Sequence, residues 1–253
     1  LLLMGMLAAG SLADGAWREV SAEAISPAAL AQRDDLSREG QWLALLAAAD
    51  EDMRQSPEAV EPVIYKLRAL RMLGHLEPAR SLAREKLTLF GEWAEFWLEK
   101  AWVEVLAGDY QTGLADADRA AALRPDLAEA ALLQGVIHRE QENWRAAETA
   151  FARAEALRPN DPLVLLNRGR IDVEQGRWEA AIDLLSRSLA LRADSAEASF
   201  HRGRAYAAKG DLAAASHDLR QPVQALSLMN GALRRTVREP LAKEMVESQQ
   251  HSL

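Results

Sequence analysis

The chain holds five histidines and no cysteine, so any covalent or metal chemistry has to run through imidazole, carboxylate or hydroxyl groups. Thiolate zinc sites, disulfides and a cysteine nucleophile are excluded, and the redox compartment stays undetermined. His75, His138, His201 and His251 fall on separate helical runs without the spacing of a zinc site, and no metal is expected. The sequence contains no glycine-rich phosphate cradle and no GxSxG elbow, and no cofactor is expected. Asp34-Asp35 and Asp50-Glu51-Asp52 read as solvated helix surface, because no partner group accompanies them. One titratable pair stands apart: His217-Asp218, in the run HDLRQP that ends at Pro222, where the pattern governing the rest of the chain breaks.

That pattern is a period. Gly135, Gly169 and Gly203 lie 34 residues apart, as do Ala147, Ala181 and Ala215, and the same step links Trp144 to Trp178. The stretch Ala128 to Asp161 is the best copy and reads as one complete helical hairpin. A 34-residue period with small residues at fixed offsets is similar to the tetratricopeptide repeat, and the resemblance covers residues 26–221. It implies an all-α protein: a right-handed superhelical solenoid of about six hairpins, completed by C-terminal capping or kinase-like helices.

Composition agrees. Three Tyr, four Phe and nine Pro in a chain of 253 residues favour helix over sheet, and a repeat array buries its surface only between neighbours. A net charge of −8 argues against a nucleic-acid binder, which needs a basic surface. Residues 1–25 form a separate N-terminal segment and linker. Its first thirteen residues, LLLMGMLAAGSLA, are apolar and uncharged, too few to cross a bilayer alone, so they read as the tail of a membrane anchor or as a signal remnant ending at Ala13. A plain apolar helix capping the first repeat is the alternative. Arginine outnumbers lysine 25 to 5, which fits a GC-rich bacterial genome.

The array runs through 26–212. Ser26-Pro27 supplies an N-cap followed by proline at the first helical position. Gly40, Gly74, Gly108, Gly176 and Gly210 keep the period at the turn inside each hairpin, with Glu142 the one interruption. Two residues on, Trp42, Leu76, Tyr110, Trp144, Trp178 and Leu212 share a phase. Pro125 and Pro159 stop second helices. Gly113, Ala147, Ala181 and Ala215 permit close packing, with Ala117, Phe151, Leu185 and Leu219 filling the space beside them. Gln134, Arg168 and Arg202 stand where the family carries leucine, and are expected to weaken their helices.

In the family the first helix of each hairpin lines a concave groove that holds peptides or partner helices. Carried over by position, that groove here comprises Arg68, Arg71, Leu98, Trp102, Val105, Leu132, Val136, Arg139, Leu166, Asn167, Arg170, Phe200 and Arg204. Guanidinium and apolar groups alternate, which suits an acidic segment with a few apolar anchors. Asn167 matches a position that in several family members holds the ligand backbone. The lysines and second asparagine of the chaperone-tail carboxylate clamp are missing, which rejects that ligand. The competing reading has these arginines pairing with Glu95, Glu129, Glu140 and Glu197 on a solvated surface.

From 213 to 253 the chain resembles the dimerisation and phosphoacceptor region of sensor histidine kinases, and His217-Asp218-Leu219-Arg220-Gln221-Pro222 matches an H-box at every place. The resemblance implies that His217 attacks the γ-phosphate of ATP while Asp218 holds the ring's other nitrogen, that Pro222 kinks the helix, that Arg234 to Pro240 form a hairpin loop, and that the paired helices dimerise. The kinase's nucleotide domain is not in this chain, so it cannot phosphorylate itself. The same residues up to Gln221 also satisfy the second helix of an ordinary repeat, followed by capping helices.

Two functional expectations follow. The first is a non-enzymatic scaffold that binds a protein or peptide partner, with no nucleic acid, at a bacterial inner membrane. The second is a fragment of a repeat-bearing sensor kinase with His217 as phosphoacceptor, homodimeric through its C-terminal helices. A genuine H-box places the protein in the cytoplasm, and a signal remnant places it in the periplasm.

Overall fold

The 34-residue cycle is a cycle of helix stops and starts. Among residues 25–228, which the computed structural model describes, it yields twelve α-helices in six consecutive pairs and no strand. They are α1 (Pro27–Arg38) with α2 (Trp42–Gln55), α3 (Val60–Met72) with α4 (Leu76–Phe90), α5 (Ala94–Leu106) with α6 (Tyr110–Leu123), and α7 (Ala128–Glu140) with α8 (Trp144–Leu157). There follow α9 (Pro162–Glu174) with α10 (Trp178–Leu191) and α11 (Ala196–Ala208) with α12 (Leu212–Leu228). The apolar stretch 1–13 and the kinase-like loop and second helix at 234–253 lie outside the described residues.

Every hairpin turns by the same device. The N–H groups of Gln41, His75, Asp109, Asn143, Arg177 and Asp211 each donate to the carbonyl five residues back, at 2.8–3.0 Å, closing a Schellman motif. The residue before the donor must take positive φ, and glycine does so at 69–84° in five hairpins. Glu142 takes the same conformation at φ 57° in the fourth, so the interrupted position keeps the geometry despite its side chain. Side-chain caps start several helices: the oxygens of Ser26, Asp109, Asp161, Ser195 and Asp211 accept from N–H groups two or three residues on.

Two compact units divide the described residues, 25–157 and 158–228. In the first, each second helix packs on the first helix of the next hairpin, and α3, α5 and α7 also touch in succession. Its core includes Val60, Val63, Ile64, Leu67, Phe90, Phe96 and Val103, and a smaller cluster joins Leu30, Leu45, Ala49, Tyr65 and Ala69. In the second unit α9 packs on α11, and α10 lies against both.

Within the last three hairpins, helices approach through glycine. A Cβ at Gly135 would lie 2.4 Å from Phe151, and at Gly169 and Gly203 it would lie 2.7 and 2.9 Å from Leu185 and Leu219. The large side chain sixteen residues on therefore fills the space that a Cβ would need, and the full burial of Phe151 and Leu185 contributes about 1.5–3 kcal/mol each, with Leu219 partly buried.

Two expectations need revision. Two of the polar residues at the usual leucine position find partners on second helices: Gln134 bonds Asp118 of the preceding hairpin and Arg153 of its own, and Arg202 grips Asp218 of its own and reaches Ser186 of the preceding one. The acidic pairs are not uniformly solvated either. Asp52 is buried and takes a bidentate bond from Arg33 at 2.9 Å, while Asp34 accepts from the Tyr65 hydroxyl at 2.7 Å. Helix α12 runs through Pro222, so the proline does stand inside a helix.

Candidate functional site

Since α3, α5 and α7 are neighbours in the first unit, and α9 and α11 in the second, residues three and four apart on these helices form continuous faces. The residues expected to bind a partner divide between the two.

On α3 and α5, Arg68 and Arg71 converge on Glu99. Arg68 donates from Nε and Nη2 to Oε1 at 2.8 and 2.6 Å, and Arg71 donates from Nε and Nη2 to Oε2 at 3.2 and 3.0 Å. The three residues are 7%, 2% and 2% exposed, and the Arg71 guanidinium lies over the Trp102 ring at 5.7 Å. Burial disfavours charge on all three. For Glu99 the two guanidiniums reverse that effect and hold its carboxyl below the ordinary glutamate value. For Arg71 burial and the like charge of Arg68 prevail over Glu99 and pull its value down, whereas Glu99 leaves Arg68 raised. Leu98 and Trp102 are buried beside them, and Arg139 on α7, also buried, pairs with Glu140.

On α9 and α11 two ion pairs run in opposite senses: Arg170 reaches Glu197 at 2.5 Å, and Arg204 reaches Glu174 at 2.9 Å. The Arg204 side chain is 36% exposed, with its guanidinium 6.0 Å over the Phe200 ring. Leu166 and Phe200 are buried. Asn167 is 1% exposed; its Nδ2 donates to the Leu163 carbonyl at 2.7 Å, while its enclosed Oδ1 meets no donor. An orphan acceptor in such a place costs free energy, about 1–3 kcal/mol, until an N–H reaches it.

Sequence reasoning missed Glu99 and Glu174. The signal for Glu99 was available: it shares the phase of Asn167, two periods away, and so had to lie on the first-helix face.

The candidate phosphoacceptor sits on α12. The His217 side chain is 79% exposed, with Nδ1 3.4 Å from an Asp218 oxygen, long for a hydrogen bond. Asp218 is buried and committed elsewhere, since Arg202 donates to both of its oxygens at 2.6 and 2.7 Å. With Leu219 seated over Gly203, the segment to Arg220 serves as the second helix of the sixth hairpin.

Successive helical hairpins, each closed by the same turn, define a class: all-α repeat proteins. In the sequence comparisons residues 94–162 match the Tetratricopeptide repeat model and residues 169–210 the TPR repeat model. The chain carries tetratricopeptide repeats. No curated protein matches it by sequence. Among solved structures, a chain of the APC/C hetero-tetramer Cut9–Hcn1 is similar over 88% of this chain (TM-score 0.75, 18% identity), and this chain spans 42% of its length. TTC0263, a thermophilic TPR protein of Thermus thermophilus, matches 72% of this chain and 97% of its own (TM-score 0.63, 17% identity). MamA matches 62% and 92% (TM-score 0.52, 19% identity). At these identities the likeness is one of fold. Among the described residues no helix is long and apolar enough to cross a membrane, and no group of three or more potential metal ligands occurs.

Proposed function

We propose that this protein is a scaffold holding a segment of a protein partner against its first helices, with α9 and α11 as the reading surface. The observation that carries the proposal is Asn167: a buried amide whose Oδ1 needs a donor, on the same helix as Leu166 and Arg170 and beside the helix bearing Phe200 and Arg204. A peptide N–H meets Asn167, a large apolar side chain packs near Leu166 and Phe200, and a carboxylate pairs with Arg204, whose half-open guanidinium is pre-oriented on an aromatic ring. The partner segment is therefore acidic with apolar anchors.

The test is a peptide array probed with the wild type, Asn167→Ala, Arg170→Glu and Trp102→Ala. Weaker capture by Asn167→Ala and Arg170→Glu, with retention by Trp102→Ala, supports α9 and α11 as the reading surface, and equal capture by all four places binding elsewhere. Location is a further part of the proposal: the uncharged apolar stretch 1–13 supports attachment to a bacterial inner membrane. Fractionation of the native protein with and without residues 1–13 tests it. A phosphoacceptor role for His217 is the second reading, favoured by the ring's exposure. Incubation with ATP and an H-box kinase catalytic domain should then give acid-labile phosphate that disappears in His217→Ala, and absence of label ends that reading.

A further inference from the structure

The Arg68–Glu99–Arg71 cluster has the bonding pattern of a bound ligand. Four N–H groups from two side chains saturate one carboxylate, two on each oxygen, and an aromatic ring backs the second guanidinium. Such forks recognise the planar carboxylate itself, whatever carries it. Glu99 is delivered from α5, while both arginines stand on α3, so the carboxylate comes from the neighbouring hairpin. Asp34, held by the Tyr65 hydroxyl at 2.7 Å, is also attractive to Arg68. Exchanging Glu99 for another carboxylate leaves that charge balance intact.

We propose that Arg68, Arg71 and Trp102 form a carboxylate-binding site which Glu99 fills from within the chain, so that an acidic side chain of a partner enters this stretch of the first-helix face only by displacing Glu99. The inference rests on the reading of first-helix faces as peptide-holding surfaces. Arginine is enclosed with its carboxylate on α3, whereas on α11 Arg204 is half-exposed in its pair with Glu174. An acidic segment therefore docks first on α9 and α11, and the α3 site remains closed until Glu99 is displaced.

The excised fragment is itself a probe, because replacing Glu99 by alanine removes a group the size of acetate. Thermal melting of the full chain and of Glu99→Ala is followed in sodium acetate and in sodium chloride at matched ionic strength. The wild type should melt alike in both salts. Glu99→Ala should melt several degrees higher in acetate, with a dose dependence that saturates, and Arg68→Ala/Glu99→Ala should lose the effect. Glu99→Gln, which keeps the volume and places an amide against the guanidiniums, supplies a second background should the alanine variant be unfolded in chloride. Acetate should then restore helical signal to Glu99→Ala while leaving Glu99→Gln unchanged. Equal melting in both salts, or no recovery in acetate, overturns the proposal. The assay contains no partner, so failure of the α9/α11 reading, seen in Asn167 and Arg204 variants, leaves it unaffected.

Discussion

Replacing Glu142 by glycine should stabilise the protein. Five of six hairpin turns use glycine at positive φ, and the fourth makes the same pair of turn bonds, Glu142 N–H to Arg139 O at 2.9 Å and Asn143 N–H to His138 O at 2.8 Å, with a glutamate at φ 57°. An L-residue in this region carries about 1–2 kcal/mol of steric cost. Glycine removes that cost and returns about 0.5–1 kcal/mol through the greater freedom of its unfolded chain. Since the Glu142 side chain is exposed and no packing is lost, the net gain is about 0.5–1 kcal/mol. For a chain of this size that is a rise in melting temperature of about 1–4 °C. Urea unfolding followed by circular dichroism should show a higher midpoint with unchanged slope. The counterpart is Gly108→Ala, at φ 84° with nothing within 4 Å of the new Cβ, which should lose about 1 kcal/mol by backbone strain alone. A midpoint unchanged or lowered in Glu142→Gly would refute the strain argument.

Gly135→Ala should cost about 1–3 kcal/mol through overpacking, because the added Cβ meets the Phe151 ring at 2.4 Å, and Phe151→Leu in the same background should recover part of it in the same urea assay. Arg202→Ala leaves the buried Asp218 carboxylate without its bidentate partner and should destabilise by about 3–5 kcal/mol, whereas His217→Ala, with an exposed ring, should stay within about 0.5 kcal/mol of wild type. The Glu99 carboxyl, which burial alone would raise, is held below its ordinary value by Arg68 and Arg71. Its contribution to stability is thus fully present above the unfolded value of about 4.3 and fades as pH falls through the lower folded value. Glu99→Gln should remove that part of the acid limb, so urea midpoints measured from pH 7 to pH 3 should fall less steeply in the variant, on a lower baseline.

The fold was legible because its signals are periodic and local. Gly135, Gly169 and Gly203 with their partners Phe151, Leu185 and Leu219 state both the repeat and the contact that closes the last three hairpins. Even Glu142 was legible as an interruption of one residue, since the neighbouring turn bonds depend on backbone alone. Charge pairing was less so. That Glu99, and not Glu95, Glu129 or Glu140, meets Arg68 and Arg71 depends on the offset between adjacent hairpins, a tertiary quantity that spacing along one helix does not contain. The same gap explains why Arg202 was read as a weak point: its partner Asp218 lies across the hairpin and looked like part of a separate motif. The unmet oxygen of Asn167 was invisible for a different reason, because a side chain's second hydrogen bond depends on how its first one orients it.

The central claim, that α9 and α11 read an acidic segment, is tested most directly by charge reversal. A peptide array balanced in Asp/Glu and Lys/Arg content, each peptide carrying leucine or phenylalanine, is probed with labelled wild type and with Arg204→Glu. The account predicts capture of acidic peptides by the wild type and a shift toward basic ones in the variant, with Asn167→Ala lowering affinity about threefold to tenfold without altering the preference. Capture of the same peptides by wild type and Arg204→Glu would contradict it.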